Sequence, residues 1–266
     1  MKLSITPKKS LGQNFLINSR ILDKIAEAAE ISKKDTVLEV GPGDGNLTQK
    51  LAQKAKKVIA VEKDRRLIDS LKEKFKDTNV EIIEADILKL KIETLIENLK
   101  LRIENYKVVG NIPYYITSKL IRTIFEDWPK PKLVVLTIQK EVAQRITAKP
   151  PRMNLLALSV QFFAEPKIIS YVSKENFRPV PKVDSALLRI KLRRAQQSKE
   201  FTERFFKIAR AGFSQKRKFL ISNLKGLGAN KNELALIFKE LGINQKSRAE
   251  ELVLEDWRRL AQTIKI

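Results

Sequence analysis

Short apolar runs alternate with amphipathic stretches through the first half of the chain. TVLEV, residues 36–40, is apolar apart from Thr36 and Glu39, and it stops at GPGDG. KVIAVEKD (57–64), NVEIIEAD (79–86), KVVGN (107–111) and KLVVLTIQ (132–139) repeat the arrangement. Runs this short, rich in β-branched residues and ended by turn or charged residues, predict five strands, most of them buried. Between them the apolar residues change to helical spacing: Ile21, Ile25 and Ala28 in NSRILDKIAEAAE, then Leu47 and Leu51, then Leu67, Ile68, Leu71 and Phe75. Alternating strands and helices require right-handed crossovers, so the pattern predicts an α/β fold with a mostly parallel, doubly wound, Rossmann-like sheet.

The rhythm changes after residue 165. KIISYVS (167–173) and SALLRIKL (185–192), separated by the loop FRPVP, predict an antiparallel hairpin appended to the sheet. RRAQQSKE (193–200) reads as a polar linker, and FTERFFKIARAGF, NELALIFKELG and EDWRRLAQTI beyond it are all helical in pattern. The expected division is a catalytic domain over 1–195 and a small all-helical domain over 196–266.

Charge changes this picture from fold to partner. Lys and Arg number 53 against 31 Asp and Glu, a formal charge of +22, which favours an extended polyanion, with nucleic acid first. A lysine-rich surface that only confers solubility or heat tolerance is the alternative. The chain has neither Cys nor His, which removes thiolate nucleophiles, imidazole bases, iron–sulfur clusters and disulfides, and with them RNA methylation at pyrimidine C5 and zinc deamination. No apolar run approaches the ~18 residues of a membrane span, and MKLSITPKKS has no apolar signal-peptide core. A cytoplasmic, monomeric protein with no membrane partner is expected.

Candidate chemistry lies at the strand ends. EVGPGDG places Gly41, Gly43 and Gly45 at a strand-to-helix turn, where a ligand's polar tail can approach the main chain closely. Asn46 breaks the G-x-G-x-x-G spacing of dinucleotide sites. Glu62 closes the second strand, placed to accept both hydroxyls of a ribose. Asp86 closes the third, placed to accept from an adenine amino group, with Ile87 beside it to pack on the ring. A nucleoside with a compact tail fits these groups, and S-adenosylmethionine fits better than a dinucleotide.

The fourth strand ends in NIPYY. At a topological switch point its end faces the ligand crevice, so Asn111 is directed at whatever is bound there. Its carbonyl and that of Ile112 can accept the N6 hydrogens of adenine, Pro113 stiffens the turn, and Tyr114 offers a face on which a base can stack. Adenine N6 is a poor nucleophile because its lone pair is delocalised into the ring. Acceptors that draw the lone pair out of conjugation, together with in-line placement of an activated methyl, suffice without a strong base.

KSLGQNFL, EVGPGDGNLT, VEKD, EADIL, NIPYYIT, QKEVAQRI, FRPVPKVDS and FSQKRKFLISNL, in this order and spacing over roughly residues 8–255, resemble the ribosomal small-subunit RNA adenine N6,N6-dimethyltransferase family. The resemblance implies a Rossmann-like S-adenosylmethionine-dependent core and a helical C-terminal domain. It implies cofactor contacts at Asn14, Leu16, Gly41, Glu62, Asp86 and Asn111, and target-base contacts at Asn111, Pro113, Tyr114 and Phe177. It also implies dimethylation of two adjacent adenosines in a hairpin loop near the 3′ end of 16S-type RNA within a pre-ribosomal small subunit, and thus a part in ribosome biogenesis. Two departures stand out: PPRMNLLALS follows Lys149, where the family has a glycine and then Tyr-Gly, and Lys119 replaces a common proline.

The RNA anchor is expected from Arg189, Lys191, Arg193, Arg194, Lys199, Arg204, Lys207, Arg210, Lys216, Arg217 and Lys218, with only Glu200 and Glu203 opposing them over the same span. SQKRK, between Phe213 and Phe219, reads as a helix-start cluster beside an RNA strand, or as a solvated helix face. A target base must leave its stack, which costs less in a loop than in a duplex. Rival readings are a large-subunit RNA adenine dimethyltransferase of the antibiotic-resistance type, a non-catalytic RNA-binding assembly factor, and a nicotinamide oxidoreductase. FSQKRKFLISNL and SRAEEL favour the small-subunit branch over the first, the retained Glu62, Asp86 and NIPY oppose the second, and Asn46 and the lack of a proton donor oppose the third.

Overall fold

A computed structural model of the protein describes residues 6–98, 106–193, 197–228 and 230–265. Each apolar run forms its strand. In chain order the elements are β1 (Phe15–Leu16), α1 (Ser19–Ala28), β2 (Thr36–Val40), α2 (Asn46–Lys54), β3 (Lys57–Glu62), α3 (Arg65–Lys74), β4 (Val80–Glu84), α4 (Ile92–Asn98), β5 (Tyr106–Asn111), α5 (Thr117–Glu126) and β6 (Leu133–Gln139). They continue with α6 (Lys140–Ile146), α7 (Leu155–Phe163), β7 (Ala164–Val172), β8 (Phe177–Arg178), β9 (Ser185–Leu192), α8 (Lys199–Gly212), α9 (Leu220–Leu224), α10 (Lys231–Glu240) and α11 (Leu254–Thr263).

Seven strands form one sheet in the order β4-β3-β2-β5-β6-β9-β7. β2 pairs in parallel with β3 and with β5, β3 with β4, and β5 with β6, while β9 runs antiparallel to β6. After β2 the chain builds outward through β3 and β4, then returns to the other side of β2 for β5. The crossovers therefore diverge at the C-terminal ends of β2 and β5, which opens a crevice there. The anticipated helical faces are largely used: Ile25, Ala28, Leu47 and Leu51 share one buried cluster, in which Leu22 is buried and the expected Ile21 is only half-buried against it, while Leu67, Leu71 and Phe75 pack with Phe15 of β1 in another. Asn18 caps α1 and Asp64 caps α3, each side chain accepting the main-chain N–H two residues on.

The chain divides into two compact units. One holds the residues up to Ala143 together with Pro166–Leu192, and the other holds Gln144–Glu165 together with Arg193–Ile266. This differs from the expected division into 1–195 and 196–266, because Gln144–Glu165 groups with the C-terminal helices. The cause is aromatic packing. Leu158 and Phe162 of α7 are buried in the helical core, and the Phe162 ring centre lies 4.2 Å from that of Phe205 and 5.2 Å from that of Phe206. PPRMNLLALS thus serves the second unit: Asn154 caps α7 by accepting from Ala157, and the Met153 N–H donates to the Glu250 carbonyl. The other departure, Lys119, is an exposed residue in the first turn of α5. Arg194, and with it part of the linker 193–200, lies outside the described residues.

Trp257 anchors the second unit. It is fully buried, and its ring stacks on Phe213 with centres 5.1 Å apart. Trp257→Ala removes that ring and leaves a cavity, so it should lower stability by about 3–5 kcal/mol, read as a lower urea midpoint, with Trp257→Phe recovering part of the loss.

Candidate active site at the strand ends

The crevice encloses about 1010 Å³ of empty space, its open mouth included. It is lined by every residue expected to touch a cofactor or a base: Asn14, Leu16, Gly41, Glu62, Asp86, Asn111, Pro113, Tyr114 and Phe177. The sheet order explains how residues so far apart in sequence converge. Gly41 follows β2, Glu62 ends β3, Asp86 follows β4, and Asn111 ends β5, all at the same edge of the sheet.

The glycine loop requires its glycines. Gly41 and Gly43 adopt φ of +70° and +61°. A Cβ on Gly43 would meet the Phe15 ring at 2.8 Å, whereas one on Gly41 would stand in open space, so at Gly41 the crevice reaches the main chain directly.

The three acidic groups differ in state. Glu62 accepts from the main-chain N–H groups of Gly43 (3.2 Å), Lys63 (2.8 Å) and Asp64 (2.8 Å), which fixes its carboxylate. Burial nevertheless pushes its pKa up, against the pull of those donors. Asp86 is also penalised by burial, but the Lys63 ammonium at 3.0 Å and the Leu88 N–H outweigh that and hold it below the usual range, so it stays ionised and able to accept. Glu39 is fully buried in β2, beside the Thr48 hydroxyl but without a hydrogen bond to it. Burial pushes Glu39 up to about 8 despite Thr48, with the charges of Glu62 and Asp44 adding to the rise.

At the end of β5 the Asn111 Nδ2 donates to the Asn14 carbonyl at 3.0 Å. A main-chain carbonyl can only accept, so the amide orientation is fixed, and Oδ1 has no donor among the described residues. The Tyr114 hydroxyl is 2.7 Å from the buried Ser185 Oγ, which pins the ring from 71 residues away. Phe177 pairs with Leu16 through β8 and β1 and is 1% exposed, so it stands as a wall of the crevice and presents little free face.

Several contributors carry no signal in sequence periodicity. Gln13 Nε2 donates to Asp64 at 2.8 Å, Tyr115 lines the crevice while 61% exposed, Lys63 pairs with Asp86, and Ser185 holds Tyr114. Position within KSLGQNFL, NIPYYIT and FRPVPKVDS is the one signal that could have marked Gln13, Tyr115 and Ser185. The proposed anchor residues differ in their neighbours. Arg189, Arg193, Lys199 and Arg204 have acidic partners in Glu30, Glu165, Glu203 and Glu200. Lys216, Arg217 and Lys218 form no ion pair or side-chain hydrogen bond among the described residues, and they lie in the turn before α9 rather than within a helix.

The sequence matches the family model described as ribosomal RNA adenine dimethylase over residues 5–265. The chain belongs to this family. Among its relatives, the ribosomal RNA small subunit methyltransferase A of Dehalococcoides mccartyi is 43% identical over 261 residues, covering 97% of this chain and 88% of that protein. The protein of the same name from Clostridioides difficile is 42% identical, covering 96% and 90%. Among solved structures, the 23S rRNA methyltransferase ErmE superposes with a TM-score of 0.78 at 29% identity, covering 94% of this chain and 99% of that one. A dimethyladenosine transferase from Plasmodium falciparum gives 0.76 at 29% identity, covering 92% and 95%. Among the described residues no helix is long and apolar enough to cross a membrane.

Glu39 supplies a pH test for this dimethylase. Its folded pKa of about 8 lies above the ordinary 4.5, so between those values the folded state holds a proton that the unfolded chain has released. The stability linked to this group is fully present below about pH 4.5 and is lost as pH rises towards 8. Glu39→Gln, which mimics the neutral acid, should flatten the fall in stability across that window, measured by chemical denaturation at stepped pH.

Proposed function

We propose that the protein transfers methyl groups from S-adenosylmethionine to N6 of two adjacent adenosines in small-subunit ribosomal RNA, acting as a cytoplasmic monomer on a pre-ribosomal particle. The observation that carries this reading is the Asn111 amide, whose Nδ2 is taken by Asn14 so that Oδ1 remains to accept at the crevice.

The crevice suits the donor. Open space at Gly41, a carboxylate fixed at Glu62 and an ionised Asp86 match a compact cationic tail, a ribose and an adenine amino group. Asn14 and Leu16 would close the site from the N-terminal segment. S-adenosylmethionine, when bound, supplies an electrophilic methyl group.

The rest falls to the chain's own groups. Asn111 Oδ1 accepts an N6 hydrogen of the target adenine and draws the lone pair towards sp³ character. Pro113 fixes the turn that follows, and Tyr114, pinned by Ser185, offers a ring face whose stacking contributes about 1–3 kcal/mol. Phe177 backs this face from the wall. Lys216, Arg217 and Lys218 hold phosphates without reading sequence.

A second reading, methylation of large-subunit RNA, draws on the likeness to ErmE. The small-subunit reading is favoured because relatives of that name reach 42–43% identity, against 29% for ErmE.

Labelled S-adenosylmethionine incubated with unmethylated small subunits should yield N6,N6-dimethyladenosine in a mass-spectrometric digest; label appearing only in large-subunit RNA would select the second reading. Asn111→Ala should lower turnover by about a hundredfold or more while RNA affinity is retained, and unchanged turnover would remove the amide from the mechanism.

A further inference from the structure

Phe219 has no part in the mechanism above. It is 44% exposed, directly follows Lys216, Arg217 and Lys218, and sits beside the buried Leu220 and Ile221. An exposed aromatic ring at the edge of a packed core calls for an explanation when its neighbours are three adjacent, unpaired cations.

The turn that carries it is held from beneath. Asn223, itself buried, donates through Nδ2 to the carbonyls of Gly212 (2.6 Å) and Gln215 (3.1 Å). The Lys218 N–H donates to Gln215, and the Leu220 N–H donates to the Ser247 carbonyl at 2.8 Å. The Phe219 carbonyl accepts from the N–H groups of Ser222 and Asn223. Phe219 thus has fixed main-chain neighbours on both sides, and the turn leaves 44% of it exposed.

We propose that Phe219 is a nucleobase-stacking platform, and that residues 216–219 together select unpaired RNA: the cations take successive phosphates and the ring takes an unstacked base. This rests on the reading of Lys216–Lys218 as a phosphate anchor and goes beyond it, because phosphate contacts alone do not separate a single strand from a duplex. A base in a duplex has both faces covered by its neighbours, whereas a base in a loop, bulge or end has a face to offer. Charge argues against a second copy of this chain as the occupant. Burying three unpaired cations against an identical set, in a molecule of formal charge +22, would be strongly repulsive.

The test uses the full-length protein with two probes, an unstructured polyuridylate and a fully paired RNA duplex of equal length. Phe219→Ala should weaken polyuridylate binding about tenfold and leave duplex binding and both salt slopes unchanged. Phe219→Leu, which keeps apolar bulk without a π face, should behave like the alanine variant, and Phe219→Trp should restore affinity. Trp128 and Trp257 are both buried, so quenching of the extra emission of Phe219→Trp by polyuridylate reports stacking directly. Replacing Lys216, Arg217 and Lys218 together with Ala should flatten the salt slope for both probes.

Silence in Phe219→Ala, or equal loss on the two probes, overturns the stacking proposal while a flattened slope in the triple variant keeps the anchor. An unchanged slope in the triple variant removes the anchor and the proposal with it. A dimer in sedimentation that Phe219→Ala dissociates would give this face to a second copy and likewise overturn the proposal.

Discussion

The donation from Asn111 Nδ2 to the Asn14 carbonyl joins groups 97 residues apart, and the crevice takes its form from that join. β1 has only two residues and pairs with the two-residue β8, too little ladder to hold the N-terminal segment across the sheet edge unaided. The amide contact and the Gln13 contact to Asp64 fasten the same segment at two more points, one on each side of the glycine loop. In consequence one hydrogen bond both closes a wall and orients the acceptor facing the crevice.

Electrostatics within the crevice runs against that of the whole chain. The molecule carries +22, yet Glu62, Asp86 and Asp44 line the crevice, with Glu39 behind the loop. Lys63 offsets one of these charges. An acidic lining suits a cationic ligand and repels phosphate. The absence of imidazole and thiolate groups fits this economy, since an acceptor for an amino hydrogen needs lone pairs and not a free proton site.

Much of this was legible in sequence because strand ends and motifs coincide. TVLEV, KVIAVEKD and KVVGN are short apolar runs closed by turn or polar residues, so the pattern alone places Gly41, Glu62 and Asn111 on one sheet edge. What stayed hidden is contact across long separations. Ser185 on Tyr114, Gln13 on Asp64 and Lys63 on Asp86 leave no periodic trace, since each depends on tertiary placement. The grouping of residues 144–165 with the C-terminal helices was hidden for the same reason: QFF reads as a generic helix end until Phe162 meets Phe205. The list of basic residues over 189–218 likewise gave no sign of which had acidic neighbours from elsewhere in the chain, as Arg189 has in Glu30.

The Asn223 staple has a corollary for substitution at the surface. It grips the main-chain carbonyls of Gly212 and Gln215, so this hold on the turn runs through none of the side chains at positions 216–219. A change of charge at Lys216, Arg217 or Lys218 therefore leaves both donor and acceptors of the staple in place.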